Sequence, residues 1–161
     1  MNRYAPHVYV IPEDDSDRQI ADGFVNHDQV KAPRIQVMPP AGGWRYVLQT
    51  FVNEYVRRLR EDPQGHVVML IDYDGFYNDR RAEFEQAIPD ELRPRVFVVG
   101  ALQTPEILKG ELGKTFEEIG MSLADDCYGG TQSVWGHEQL KHNAVDRDRL
   151  VAIVKPILFG P

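Results

Sequence analysis

The sequence predicts a single α/β domain, doubly wound, with a mostly parallel central sheet of four or five strands and helices on both faces. Three observations lead there. Short apolar runs rich in β-branched residues recur at residues 8–11, 66–71 and 95–100, the pattern of strands buried on both faces. Segments with helical spacing of apolar residues lie between them. Connections of that kind return each strand parallel to the last through right-handed crossovers. At 161 residues, 42% apolar and 27% charged, the chain is long enough for a normal core and is read as one domain over 1–161.

In order, Val8-Tyr9-Val10-Ile11 is the first strand, closed by Pro12. Glu13-Asp14-Asp15-Ser16-Asp17 then sets four acids in five residues ahead of a helix over 18–25. Ser16 or Asp17 is its candidate cap, and acids suit the positive end of its dipole. Four acids exceed what a cap needs. Residues 34–38 alternate and form a second strand nearer an edge. Pro39-Pro40-Ala41-Gly42-Gly43 is a turn. A helix from Trp44 to about Arg60 follows, with Val47, Leu48, Phe51, Val52, Tyr55, Val56 and Leu59 on one buried face. Arg57, Arg58 and Arg60 suit the negative end of its dipole. Asp62-Pro63-Gln64-Gly65 turns the chain into the central strand, which stops at Asp72-Tyr73-Asp74-Gly75. Residues 77–88 are helical and end at Pro89. The first, third and fourth strands are expected in the sheet interior, because their runs are apolar throughout.

Past Gly100 the pattern changes, and 101–161 reads as a C-terminal extension. Pro105 opens a short helix over 106–113, and a second covers 114–123. Residues 125–135 read as a loop, and 136–145 as a polar, exposed helix carrying His137, Glu138, Lys141 and His142. Residues 147–158 form either a final helix or a final strand.

Several chemistries are set aside by spacing. His137 and His142 are five apart, about 140° around a helix at ~3.6 residues per turn, so they do not form the zinc-protease pair. Gly42-Gly43 lacks the Gly-Lys-Ser/Thr of a phosphate loop, no Gly-x-Ser-x-Gly elbow occurs, and Cys127 is the lone cysteine. A net charge of −7 opposes non-specific nucleic-acid binding by the whole surface but is compatible with a local basic patch and with clustered carboxylates. No apolar run approaches the roughly 20 residues of a membrane span, and no charged-then-apolar leader opens the sequence. The expected location is cytoplasmic, without membrane attachment.

What remains is Glu13 after the first strand and Asp72 and Asp74 after the third. Alternation sets Asp72 and Asp74 on one side if the chain stays extended. In a doubly wound sheet these strands are commonly neighbours, and ligands bind beyond their carboxyl ends. Three carboxylates meeting there repel one another unless a proton or cation joins them, and Mg²⁺ or Mn²⁺ suits an all-oxygen site. The competing reading is a strand running into an Asp-Gly turn.

These residues resemble the Toprim domain of topoisomerases, primases and OLD-type nucleases. That family carries a glutamate after its first strand, often in Glu-Gly-x-Ser-Asp, where this chain has Glu13-Asp14-Asp15-Ser16-Asp17. It carries Asp-x-Asp after the third strand, matched by Asp72-Tyr73-Asp74, and a glycine after the second, matched by Gly42 or Gly43. The resemblance covers a core of about residues 7–100 and departs from the family at Asp14, where glycine is usual. It implies a divalent-metal-dependent nuclease acting on DNA or RNA, with Glu13, Asp72 and Asp74 holding Mg²⁺ or Mn²⁺ and doing the catalysis. It also implies an ATPase as partner protein. Asp14, Asp17 and Glu106 are candidates for a second metal, and Lys109 or Lys141 for a late lysine. A rival order of residues, Asp14-Asp15, Asp72 or Asp74, Thr104 and Lys155-Pro156, is similar to that of response-regulator receivers, which would make the chain a phospho-acceptor or another non-catalytic module. A receiver continues through a further helix after its Lys-Pro, and here only residues 157–161 follow.

Overall fold

A computed structural model describes residues 1–160. Among these the sheet has four strands, β1 (His7–Pro12), β2 (Ile35–Val37), β3 (Gly65–Leu70) and β4 (Val96–Val99), in the order β2-β1-β3-β4 and all parallel. Seven α-helices surround it: α1 (Asp15–Val25), α2 (Trp44–Thr50), α3 (Val56–Glu61), α4 (Tyr77–Ala87), α5 (Pro105–Leu112), α6 (Phe116–Gly129) and α7 (Ala144–Phe159). On one face Tyr9, Ile11, Val67, Met69, Val96 and Val98 pack against α2, α3 and α4. On the other, Val8, Phe97 and Val99 meet Leu150, Val154 and Leu158 of α7. The α/β fold with helices on both faces is as the sequence predicts.

β1 and β3 are interior and β2 is an edge strand, as expected. β4 is not interior: it is the second edge. Its Val-Phe-Val-Val run is apolar because helices cover both faces, not because strands flank both sides. Its outward carbonyls are taken by side chains instead. Val96 O accepts from Arg149 (3.2 Å), Val98 O from Arg81 (3.0 Å), and Gly100 O from Asn143 (3.0 Å) and the His142 ring (2.8 Å). Charged cover of this kind keeps an edge from pairing with another chain.

The helix expected from Trp44 onward is continuous but contains a π turn at Phe51–Tyr55, between α2 and α3. Its most buried residues, Val47, Phe51, Tyr55 and Leu59, are four apart. In a regular α-helix each four-residue step drifts about 40°; the wider π turn absorbs the excess and holds the four in line. Val52, expected on that face, is turned out and 45% exposed.

α1 and α6 touch backbone to backbone through two glycines. A Cβ on Gly23 would lie 2.0 Å from Glu117 O, and one on Gly120 1.9 Å from Ile20 O. Gly120→Ala must push the helices apart, at a cost of about 1–3 kcal/mol or more. Gly110 has nothing within 4 Å of its Cβ position, so Gly110→Ala is expected to be neutral or to stabilise by up to about 1 kcal/mol. Thermal melts should show Gly120→Ala falling while Gly110→Ala holds or rises.

The C-terminal extension differs from expectation in two places. α6 runs on to Gly129, so the first part of the expected loop is helical. Asp126 then organises the rest: its carboxylate accepts from Thr131 Oγ1 and from the backbone N–H groups of Ser133, Val134 and Trp135. The helix expected over 136–145 does not form; turns lead to a 3₁₀ segment at Lys141–Asn143, and α7 starts only at Ala144. There the Gln139 carbonyl and side chain accept from Leu102 N and Gln103 N, and Asn143 bonds Gly100. These tertiary bonds draw the chain out of helical register. The final segment is helical, with Pro156 inside it. Among the described residues no helix is long and apolar enough to cross a membrane.

Candidate metal centre

β1 and β3 are neighbours in a register that pairs Pro12 with Leu70, so both leave the sheet at the same end. Glu13 N donates to Leu70 O (2.9 Å), and Asp72 N donates to Glu13 Oε1 (3.3 Å). The turn after β2 closes one side, where Ala41 N bonds Pro12 O (3.0 Å) and Gly42 N bonds Glu13 O (2.8 Å). α1 begins earlier than predicted. Asp14, rather than Ser16 or Asp17, is its N-cap and accepts from Asp17 N (3.0 Å). Asp17 is thereby carried one turn into the helix, three residues from Asp14 and facing back to the strand ends.

The result is a cluster of Glu13, Asp14, Asp17 and Asp72, with one carboxylate oxygen from each within 4.8 Å of the others. Asp17 is 1% exposed, Asp72 5% and Glu13 8%, and Asp14 is half-buried at the mouth. Asp17 Oδ2 and Asp72 Oδ1 are buried with no hydrogen-bond partner. Arg80 approaches but donates elsewhere, to the Asp72 backbone carbonyl (2.6 Å) and to Asp74 Oδ2 (2.7 Å).

Buried carboxylates so placed resist ionisation. Burial pushes Asp72 up to about 8, with the charges of Glu13 and Asp14 adding to it. Burial likewise lifts Glu13 to about 7; Asp14 and Asp74 add, while the Asp72 N–H and Arg80 oppose. Asp17 is raised well above the usual range by burial first and then by Asp72. Without a cation the cluster must hold protons. Its all-oxygen donors, their negative charge and the two orphaned oxygens suit a hard divalent ion.

Of the three residues singled out from sequence, the structure brings Glu13 and Asp72 together and leaves Asp74 outside the cluster. The chain does not stay extended. Asp74 is left-handed (φ 49°) and begins a turn in which Asp74 N and Gly75 N bond Gln103 O and Leu102 O. Its carboxylate swings to Arg80 and is 43% exposed. Asp14 and Asp17 take its place, and their signal was the density of acids across the strand-to-helix turn. Glu106 accepts from Ser16 Oγ (3.1 Å), Lys109 lies over the Phe116 ring and Lys141 pairs with Glu138, so none of these joins the four. Lys155 and Pro156 sit within α7, where Lys155 borders an apolar cavity also lined by Val10, Leu70 and Trp135. No protein-family model matches the chain, and no curated protein or solved structure matches it.

Proposed function

We propose that the chain is a Mg²⁺- or Mn²⁺-dependent nuclease that hydrolyses phosphodiester bonds in DNA or RNA, with Glu13, Asp14, Asp17 and Asp72 as the ligand set. The observation that carries this reading is four converging carboxylates, without an ion-pair partner, at the carboxyl ends of two adjacent parallel strands, where such folds bind ligands. The resemblance of Glu13 and Asp72-Tyr73-Asp74 to the Toprim pattern supports it and brings with it an ATPase partner. A divalent ion there supplies Lewis-acid polarisation of a phosphoryl oxygen and a more acidic water.

The chain's own residues divide the remaining work. Asp17 and Asp72, the deepest of the four, anchor the cation. Glu13, at the end of β1, brings a carboxylate oxygen to the cluster, ionised beside the cation, and accepts a proton from the attacking water as general base. Asp14 closes the mouth. Asp74 is a positioning residue that holds the Arg80 guanidinium against the Asp72 carbonyl.

Plasmid and single-stranded substrates incubated with Mg²⁺ or Mn²⁺ should be cut, and EDTA should stop the reaction. Glu13→Gln should lower the rate about 100-fold or more, within the range of a lost general base, with the fold intact by circular dichroism. Cleavage that persists in EDTA, or at full rate in Glu13→Gln, would overturn the reading.

A further inference from the structure

Beside the carboxylates, guanidinium groups and aromatic rings alternate. Arg45 Cζ lies 4.9 Å from the Trp44 ring centroid, and Arg80 Cζ lies 4.9 Å from the same ring. Arg80 also stands 5.5 Å from the Phe76 ring. The sequence of groups is therefore Arg45, Trp44, Arg80, Phe76. Tyr46 adds a further ring against the Gly42-Gly43 turn. Phe76 and Tyr46 are each 57% exposed.

The two middle members of this stack, Arg80 and Trp44, are tied to the carboxylate site. Arg80 donates to Asp72 O (2.6 Å). Gly42, two residues before Trp44, donates its N–H to Glu13 O (2.8 Å). The aromatic surface thus borders the carboxylate site.

Its chemistry selects among nucleic acids. Nucleobases stack on aromatic faces and on guanidinium planes whatever their identity, and guanidinium N–H groups bond phosphate oxygens. Bases in a duplex are already stacked on one another and have no face to offer. A net charge of −7 also opposes the dense phosphates of a duplex. We propose that the Arg45–Trp44–Arg80–Phe76 stack, with Tyr46, is a binding platform for single-stranded nucleic acid that leads the strand to the carboxylate site. The proposal rests on the nuclease reading for what happens at the acids, but strand binding is measurable without it.

The chain has two tryptophans; Trp135 is buried under α6, and Trp44 belongs to the platform. Titration with a short oligothymidylate in EDTA, where no cleavage occurs, should quench tryptophan emission, and Trp44→Phe should abolish the signal. Phe76→Ala and Tyr46→Ala, both at exposed positions, should each weaken binding about tenfold, in the range of one lost base–aromatic stack. Both should keep the wild-type thermal shift with Mn²⁺, since neither ring belongs to the four-acid cluster. A duplex of the same length should bind at least about tenfold more weakly, having no free base faces. Absent binding, binding unchanged in both alanine variants, or equal binding of the duplex would overturn the platform. Loss of the nuclease reading looks different: no Mn²⁺ shift and no cleavage, with oligothymidylate binding intact.

Discussion

Asp72→Asn is expected to raise the melting temperature of the metal-free protein near pH 8 and to erase its stabilisation by Mn²⁺. The Asp72 carboxylate is 5% exposed and shares its space with Glu13, Asp14 and Asp17. Folded, it keeps its proton up to about pH 8; unfolded, it loses it near 3.8. Between those values the folded chain binds more protons than the unfolded chain, so stability falls as pH rises. Glu13 acts in the same sense between 4.5 and about 7. Asparagine has the same shape and never ionises. At ~1.4 kcal/mol per pKa unit, heavily discounted for relaxation around the site, a gain of about 2 kcal/mol near pH 8 is expected, shrinking as pH falls towards 4. At roughly 2–4 °C per kcal/mol for a chain of this size, the rise is readily measured.

With metal the sign reverses. A ligand at ~100 times its dissociation constant stabilises the folded state by about 2.7 kcal/mol. The wild type should gain that much from Mn²⁺ and Asp72→Asn very little. Asp74→Asn is the control: its carboxylate bonds Arg80 and lies outside the cluster, so the Mn²⁺ shift should survive. A wild type that melts at the same temperature with and without Mn²⁺ would remove the metal site and with it the main support for a nuclease.

Asp146→Ala is expected to cost about 3–5 kcal/mol, the usual price of stripping one partner from a buried ion pair. Asp146 is 3% exposed and accepts from both Arg81 and Arg149 (2.9 Å for the latter). The same two guanidinium groups cover Val98 O and Val96 O on the free side of β4. Without Asp146, Arg149 loses its carboxylate partner and Arg81 keeps only the half-exposed Glu85, and the edge they shield is freed for pairing with other chains. A drop of roughly 10 °C in melting temperature should accompany light scattering at temperatures where the wild type stays clear. Asp146→Asn, which keeps one acceptor, should fall between. A loss below about 1 kcal/mol, the range of an exposed pair, would show that the arginines find other partners.

The order and type of the elements over residues 7–100 were legible in the sequence because they depend on local pattern. Continuous apolar runs mark strands covered on both faces, and helical spacing marks the helices between them. The place of β4 was not legible. An apolar strand records what covers its faces and nothing of what lies along its edge, and here the edge is covered by Arg81 and Arg149, 17 and 53 residues from the carbonyls they bond. Residues 136–145 read as a helix for the same reason, since the bonds from Leu102, Gln103 and Gly100 that displace it are invisible locally.

For the site, the sequence alone determined that acids crowd the turns after the first and third strands. Which of them meet was decided by tertiary structure. A left-handed residue at Asp74 turned one acid outward, and the Asp14 cap carried Asp17 inward. The pairing of β1 with β3 then set Glu13 against Asp72 across 59 residues of chain. Their affinity for protons follows from the same step. The energy of a carboxylate depends on the water it has lost and the charges it faces, and both exist only once the strands and α1 have packed around it.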